Sequence, residues 1–227
     1  MRSFGFNGTS SKINPWRRFS LKKPLTFSVL MLSVLFTMAA EAQEFLGAVG
    51  FSGIKAPGES TNPATGNTFP SLSGGAYPSV SGMFISNHHH IGLGLQVAVR
   101  AQESLYTESS LTGVFQANLR PIVYNFDAVY GRRFGKKFGA DAMAGLGGLY
   151  LSFSTPFYTC GLAPCTNYTS TNHLGGHFGA DIRYYVWRKV FIRPEIHYYL
   201  IRNNVEFNGA NFARFAASVG YSFVPGS

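Results

Sequence analysis

The sequence predicts an all-β fold, an eight-stranded antiparallel up-and-down transmembrane β-barrel. Three observations predict it. A basic and then apolar segment opens the chain. Period-two alternation of side chains recurs through the remainder. The charged residues of the alternating segments share one face. Composition agrees. Charged residues are 13% of the chain against a usual ~25%, which excludes a disordered acidic or basic tail protein. Two cysteines exclude a disulfide-dense scaffold and a four-thiolate zinc module.

The first element is an address. Arg2, Lys12, Arg17, Arg18, Lys22 and Lys23 precede the apolar run Leu25–Ala40, and Ala40-Glu41-Ala42 follows at once. A positive region, a short apolar core and an A-x-A site describe a secretory signal peptide. The run is 16 residues long, short of the ~20 that a spanning helix needs. Residues 1–42 are therefore expected to be removed between Ala42 and Gln43. Residues 43–227 form the barrel domain. That mature chain keeps 13 Lys/Arg and 9 Asp/Glu, a net charge of +4 rather than the +9 of the whole. So modest a balance on an exported chain argues against a nucleic-acid partner, which needs a basic face.

Eight alternating segments follow. In a strand, successive side chains point to opposite faces. Glu44–Ile54 sets Phe45, Val49 and Phe51 against Ala48, Gly50 and Ser52. Ala76–Ser86 is the weakest, with Val80, Gly82 and Phe84 together. His90–Arg100 sets Ile91, Leu93, Leu95, Val97 and Val99 against Gly92, Gly94, Gln96, Ala98 and Arg100. The fourth segment sets Ile122, Tyr124, Phe126, Ala128 and Tyr130 against Asn125 and Asp127. Gly139–Phe153 sets Ala140, Ala142, Ala144, Leu146 and Tyr150 against Asp141, Met143, Gly145 and Gly147. The sixth sets Leu174, Phe178, Ala180, Ile182, Tyr184 and Val186 against His177, Gly179, Asp181 and Arg183. The seventh sets Ile192, Ile196, Tyr198 and Leu200 against Arg193, Glu195 and His197. The last sets Ala213, Phe215, Ala217, Val219, Tyr221 and Phe223 against Arg214, Ala216, Ser218, Gly220 and Ser222. Pro78, Pro121 and Pro194 each remove a ladder donor and are expected near rims or bulges.

The connections alternate in length. Residues 55–75, 101–117, 154–173 and 201–210 are long and polar or glycine-rich, whereas 86–90, 131–138 and 187–190 are short. Short periplasmic turns and longer extracellular loops are the layout of a transmembrane barrel. The apolar face carries no charge. The other carries Arg100, Arg183, Arg193 and Arg214 with Asp127, Asp141, Asp181 and Glu195, four of each sign. A soluble lipocalin-type barrel would invert this. Lipid offers no hydrogen bonds, so strands must close on themselves, and an Arg or Lys facing the bilayer midplane costs ~2–4 kcal/mol. Charges are therefore expected inside as ion pairs that fill the lumen. Phe45, Tyr130, Phe138, Tyr150, Tyr184, Phe191, Tyr221 and Phe223, near segment ends, are expected to form interfacial girdles.

With these features on the page, the mature chain resembles the eight-stranded outer-membrane barrels, that is, the OmpA-like transmembrane domain and related outer membrane protein beta-barrel families. The phrases that carry it are Phe191-Ile192-Arg193-Pro194-Glu195-Ile196-His197-Tyr198 and Ala217-Ser218-Val219-Gly220-Tyr221-Ser222-Phe223. The resemblance implies a place in the bacterial outer membrane among its lipid and lipopolysaccharide. It also implies insertion by the barrel-assembly machinery, which reads an aromatic-ended last strand. Here Val224–Ser227 follow Phe223, a departure from that pattern.

Other candidates have plainer readings. Cys160 and Cys165, in the 154–173 loop, are expected to form a disulfide, since export leads to an oxidising compartment. His88, His89 and His90 lack a supporting carboxylate and read as a solvated turn, with no metal. Arg132, Arg133, Lys136, Lys137, Arg188 and Lys189 read as a solvated rim, with anionic lipid head groups as the alternative contact. The inward acids with His177 and His197 have the residue types of acid–base machinery, but an ion-pair network explains the balance of signs. No Ser–His constellation of the kind found in barrel acyltransferases, deacylases and proteases stands out, and no cofactor motif is present. The expected function is that of a non-enzymatic integral outer-membrane protein, structural or engaged in surface recognition and adhesion through its loops. A narrow pore is the first alternative and a lipid-modifying enzyme the second.

Overall fold

The structure, a computed structural model, describes residues 44–63, 65–86, 89–110, 113–160 and 163–223, with 156–160 and 163–166 described by backbone alone. The chain divides into the units Met1–Ala40 and Glu41–Ser227, and the described residues all belong to the second. The leader, its Ala42–Gln43 junction, His88 and Val224–Ser227 lie outside the described residues.

The elements, in order, are β1 (Glu44–Lys55), β2 (Ser60–Thr61), β3 (Thr68–Phe69), β4 (Tyr77–Ile85), β5 (Ile91–Val99), β6 (Ser104–Ser110), β7 (Gly113–Phe134), β8 (Phe138–Cys160), β9 (Ala163–Trp187), β10 (Val190–Leu200), a 3-10 turn (Val205–Phe207) and β11 (Phe212–Phe223). Eight of them, β1, β4, β5, β7, β8, β9, β10 and β11, pair antiparallel with their neighbours around a closed ring. Closure comes from the first and last strands, in register from Phe45 opposite Phe223 to Lys55 opposite Ala213. No backbone edge of the spanning wall is left to face lipid, as a bilayer requires.

The period-two reading holds around the barrel. Ile91, Leu95, Phe126, Leu146, Phe178, Ile182, Phe215 and Val219 are outward and exposed, whereas Gln96, Asp127, Asp141, Arg183, Arg193 and Arg214 are inward and buried. Turns are tight at one end, and Gly135 in the three-residue β7–β8 turn takes φ 67°, a conformation that glycine adopts without steric cost.

Two expected loops are instead strand. Residues 104–110 and 113–119 pair as a hairpin, Ser104 opposite Leu119 through Ser110 opposite Gly113. β8 and β9 stay paired out to Cys160 opposite Ala163. β9 has 25 residues, about 80 Å at ~3.3 Å per residue, far beyond the ~9–11 that span a bilayer. The threonine- and tyrosine-rich composition of these stretches suits a pleated strand, although its polarity reads as loop. Cys160 and Cys165 thus sit on the facing strands of a hairpin, with Cys165 opposite Tyr158. Their side chains, and so the disulfide, lie outside the description.

Two further expectations are corrected. Pro78 and Pro121 lie near the long-loop rim, but Pro194 is in the middle of β10, opposite Ala217. Pairing to β9 skips from Ile192–Tyr184 to Glu195–Asp181 around it, since proline has no N–H to give the ladder. Phe191 is fully buried. It shares its parity with Arg193 and Glu195 and points into the lumen rather than to a girdle. Phe45, Tyr130, Phe138, Tyr184, Tyr221 and Phe223 do point outward, all at the short-turn end, and Tyr150 is half-buried near the other.

Candidate functional site

The lumen is built in layers, because inward positions at successive heights on the eight strands face one another. Nearest the short turns, Arg183 donates from Nη2 to Asp141 Oδ1 at 2.7 Å and from Nη1 to Tyr185 Oη at 3.0 Å. Tyr185 and Ser222 both donate to Glu44 Oε1, at 2.8 and 2.7 Å. Leu46, Ala48, Met83, Ile85, Val129, Met143 and Phe191 pack around this group with the Tyr185 ring.

The middle layer is polar and continuous. Arg193 Nε donates to Glu195 Oε1 at 3.0 Å and to Ser218 Oγ at 3.2 Å, and its Nη2 donates to Ser81 Oγ at 2.6 Å. Gln96 Nε2 donates to Glu195 Oε2 at 2.9 Å. Arg214 donates to the carbonyl oxygen of the same glutamine. A second chain of contacts runs from Asp127 Oδ1 to His177 Nδ1 at 2.6 Å, from His177 Nε2 to His197 Nδ1 at 3.1 Å, and from His197 Nε2 to Glu195 Oε2 at 3.0 Å. Tyr199 donates to Asn125 Oδ1 at 2.9 Å, and Asn125 donates to Asp127. Glycine makes the room: a Cβ at Gly179 would lie 2.8 Å from His197 Nδ1.

The third layer, toward the long loops, is apolar. Ile54, Leu72, Ala98, Leu119, Val123, Leu149, Leu151, Ile201 and Phe212 form one buried cluster with the rings of Tyr77, Tyr106, Phe153 and Phe207. Phe207 comes from the 201–210 connection. Tyr106 Oη donates to the Glu206 carbonyl at 3.0 Å, His173 Nε2 lies 2.8 Å from Glu206 Oε2, and Asn204 Nδ2 donates to Ala210 O at 3.0 Å. Burial pushes the Tyr106 phenol up, and the neighbouring Glu108 carboxylate adds to the shift. A void beside Met83, Gly94, Asn125, Asp127, Arg193 and Glu195 measures about 10 Å³, room for a single water.

The expected interior charges thus have different surroundings. Arg183 with Asp141 and Arg193 with Glu195 are direct ion pairs. Asp181 lies 3.8 Å from Arg193 Nη1. Asp127 meets a histidine, and Arg214 reaches Glu195 only through Gln96. Arg100 stands apart: it is half-buried near the long-loop rim and donates to Ser104 Oγ at 2.8 Å. Glu44, Tyr185 and Tyr199 were not expected in the network. Glu44 has the parity of Ala48, Gly50 and Ser52, the signal that places it inside.

Outside the barrel wall, charge divides between the ends. The long-loop end has Lys55, Arg100, Arg120 and Arg202 against Glu59, Glu103, Glu108 and Glu206. The short-turn rim has Arg132, Arg133, Lys136, Lys137, Arg188 and Lys189. Among the described residues, no group of three or more His, Cys, Asp or Glu is arranged to hold a metal ion.

A closed eight-stranded wall, lipid-compatible outside and packed inside, is the geometry with which the comparisons agree. Residues 27–223 match the outer membrane protein beta-barrel domain. The chain belongs to that family. As an outer membrane protein beta-barrel it is a bacterial outer-membrane protein. Among solved structures it is similar to Neisserial surface protein A, with a TM-score of 0.52 and 13% identity over 80% of this chain and 100% of that one. It is similar to OprG from Pseudomonas aeruginosa, with a TM-score of 0.50 and 14% identity over 81% and 97%. It is also similar to Ail, the attachment invasion locus protein of Yersinia pestis, with a TM-score of 0.50 and 10% identity over 79% and 98%. Identities this low speak for the fold alone. No curated protein sequence matches the chain.

Proposed function

We propose that this outer membrane protein beta-barrel is a non-enzymatic integral protein whose work is surface recognition by the hairpins and loops of its long-loop, extracellular end. The observation that carries the reading is the filled lumen. A buried polar layer and a buried apolar layer lie in series across the barrel, which disfavours a passage. The strands that overrun the bilayer supply a display surface instead. Leu105, Val114, Phe115, Tyr168 and Val205 are exposed on it, where apolar side chains are free to meet a partner. The names of Ail and Neisserial surface protein A point the same way.

The leader through Ala42, the Cys160–Cys165 bridge, the lipopolysaccharide surroundings and insertion by the barrel-assembly machinery are parts of this proposal. An enzymatic role draws no support from the Asp127–His177–His197–Glu195 chain, because its members are buried and the void beside Asp127 and Glu195, about 10 Å³, is too small for a substrate.

Planar-bilayer recording tests the reading. The protein is expected to give no steady current, and reproducible unitary steps would return the narrow-pore alternative to first place. Mass spectrometry of lipid A from cells with and without the protein is expected to show one acyl pattern. An altered pattern would favour the lipid-modifying enzyme.

A further inference from the structure

The charge on the short-turn rim is one-sided. Its basic residues come from the end of β7, the β7–β8 turn and the β9–β10 turn. These turns are neighbours: Phe138 pairs with Tyr184, and Tyr185 N donates to Lys137 O at 2.8 Å. The remaining short connection, residues 86–90, has neither lysine nor arginine. Arg133 turns inward, 4.0 Å from the centre of the Tyr185 ring and 3.9 Å from Glu44. Arg132 has the opposite parity and turns outward, toward lipid, with its guanidinium 5.9 Å from the centre of the Phe134 ring.

The height of this arc follows from its aromatics. Tyr130, Phe134, Phe138 and Tyr184 are outward and exposed, and Trp187, at the end of β9 where the register to β10 shifts opposite Val190, is exposed by 71%. Such rings settle at the head-group level of a bilayer. Arg132 is two residues from both Tyr130 and Phe134, about 7 Å along the strand. The turns are too short to carry their cations away from that level.

We propose that this arc is a binding site for the head groups of anionic phospholipid in the leaflet that faces the short turns. Arg132, Lys136, Lys137 and Arg188 supply the cationic contacts, and Trp187 sits among the adjoining lipid. A cell-wall polymer is a second anionic partner at that end of the barrel. The sideways aim of Arg132 and the shared level of cations and aromatics favour lipid.

Trp187 reports on the site directly, since Trp16 is the only other tryptophan. The mature chain, residues 43–227, which lacks Trp16, is reconstituted with dibrominated phosphatidylglycerol or dibrominated phosphatidylcholine at graded mole fractions, and quenching of Trp187 gives their relative association constants. Each cation near an anionic surface is worth about fivefold, so a preference for phosphatidylglycerol of at least about fivefold is expected. It should shrink toward one as salt is raised to ~1 M. Most of it should also be lost in the triple variant Arg132→Gln, Lys136→Gln, Arg188→Gln, which keeps only Lys137 of the four contacts. Lys136→Gln alone, in the turn, gives a partial loss should the triple variant not fold. Equal quenching by both lipids in the parent overturns the proposal, and so does a preference that is undiminished in the triple variant or at high salt. Equal quenching with cation-dependent sedimentation on purified peptidoglycan would assign the arc to the cell wall instead. Quenching by both lipids still shows the barrel in its bilayer, so failure here is separate from failure of the surface-recognition reading.

Discussion

Arg193→Ala is expected to destabilise the barrel by about 3–5 kcal/mol, the cost of stranding the buried partner of a removed charge. The arginine bonds Glu195, Ser81 and Ser218, and Asp181 lies 3.8 Å away. All of them are buried. Alanine would leave two carboxylates facing each other's field with no cation in hydrogen-bond reach. Urea titration in lipid vesicles, followed by Trp187 emission and by the heat-dependent gel mobility of the folded form, measures the loss. The exposed Arg202→Ala, at the long-loop end, serves as the control, with a change of ~0.5 kcal/mol or less. The Arg183–Asp141 pair gives the complementary experiment, because it bridges neighbouring strands. Arg183→Asp should lower the midpoint, and adding Asp141→Arg should restore part of it. A loss below ~1 kcal/mol for Arg193→Ala, or no rescue in the swap, would mean that the interior charges do not act as a network.

The second large effect is expected on the other face of the wall. Val219 is exposed between Val49 of β1 and Ile192 of β10. Val219→Arg places a guanidinium in hydrocarbon at mid-wall and should cost ~2–4 kcal/mol in vesicles. Phe223→Arg, at the short-turn end of the same strand, should cost only ~0–1 kcal/mol, since an interfacial arginine keeps its water. The same titration compares the two. Equal costs at the two depths would argue against the spanning wall.

Much of this was legible in the sequence, because one physical rule acts at every second residue. Period-two sorting places Ile91 to Val99 outward and Gly92 to Ala98 inward without reference to any partner strand, and the same holds for Arg214 against Phe215. The rule also contains what the sequence reading misplaced. Phe191 and Glu44 have inward parity, but Phe191 is placed in a girdle by its aromatic type, and Glu44, the first residue of its segment, is assigned to neither face. What parity does not contain is the partner. The glutamine that links Arg214 to Glu195 is 118 residues away in sequence. The His177–His197 contact depends on β9–β10 register and on the missing Cβ of Gly179. The extent of β6 to β9 beyond the bilayer was hidden for another reason. Serine, threonine and asparagine outside lipid satisfy their backbone as readily in water as in a ladder. Polarity alone therefore does not tell a loop from a projecting hairpin, and β-branched threonine is the better guide.

The central claim is the sorting of the wall, apolar side chains to lipid and ionisable ones to a filled lumen. Single cysteines placed through β11 from Ala213 to Phe223, in a chain with Cys160→Ser and Cys165→Ser, test it most directly in liposomes with a bilayer-soluble thiol reagent. The account predicts labelling with a period of two, fast at Phe215, Ala217, Val219 and Tyr221 and slow at Arg214, Ala216, Ser218 and Gly220. The inverse phase, or labelling without a period, would contradict it.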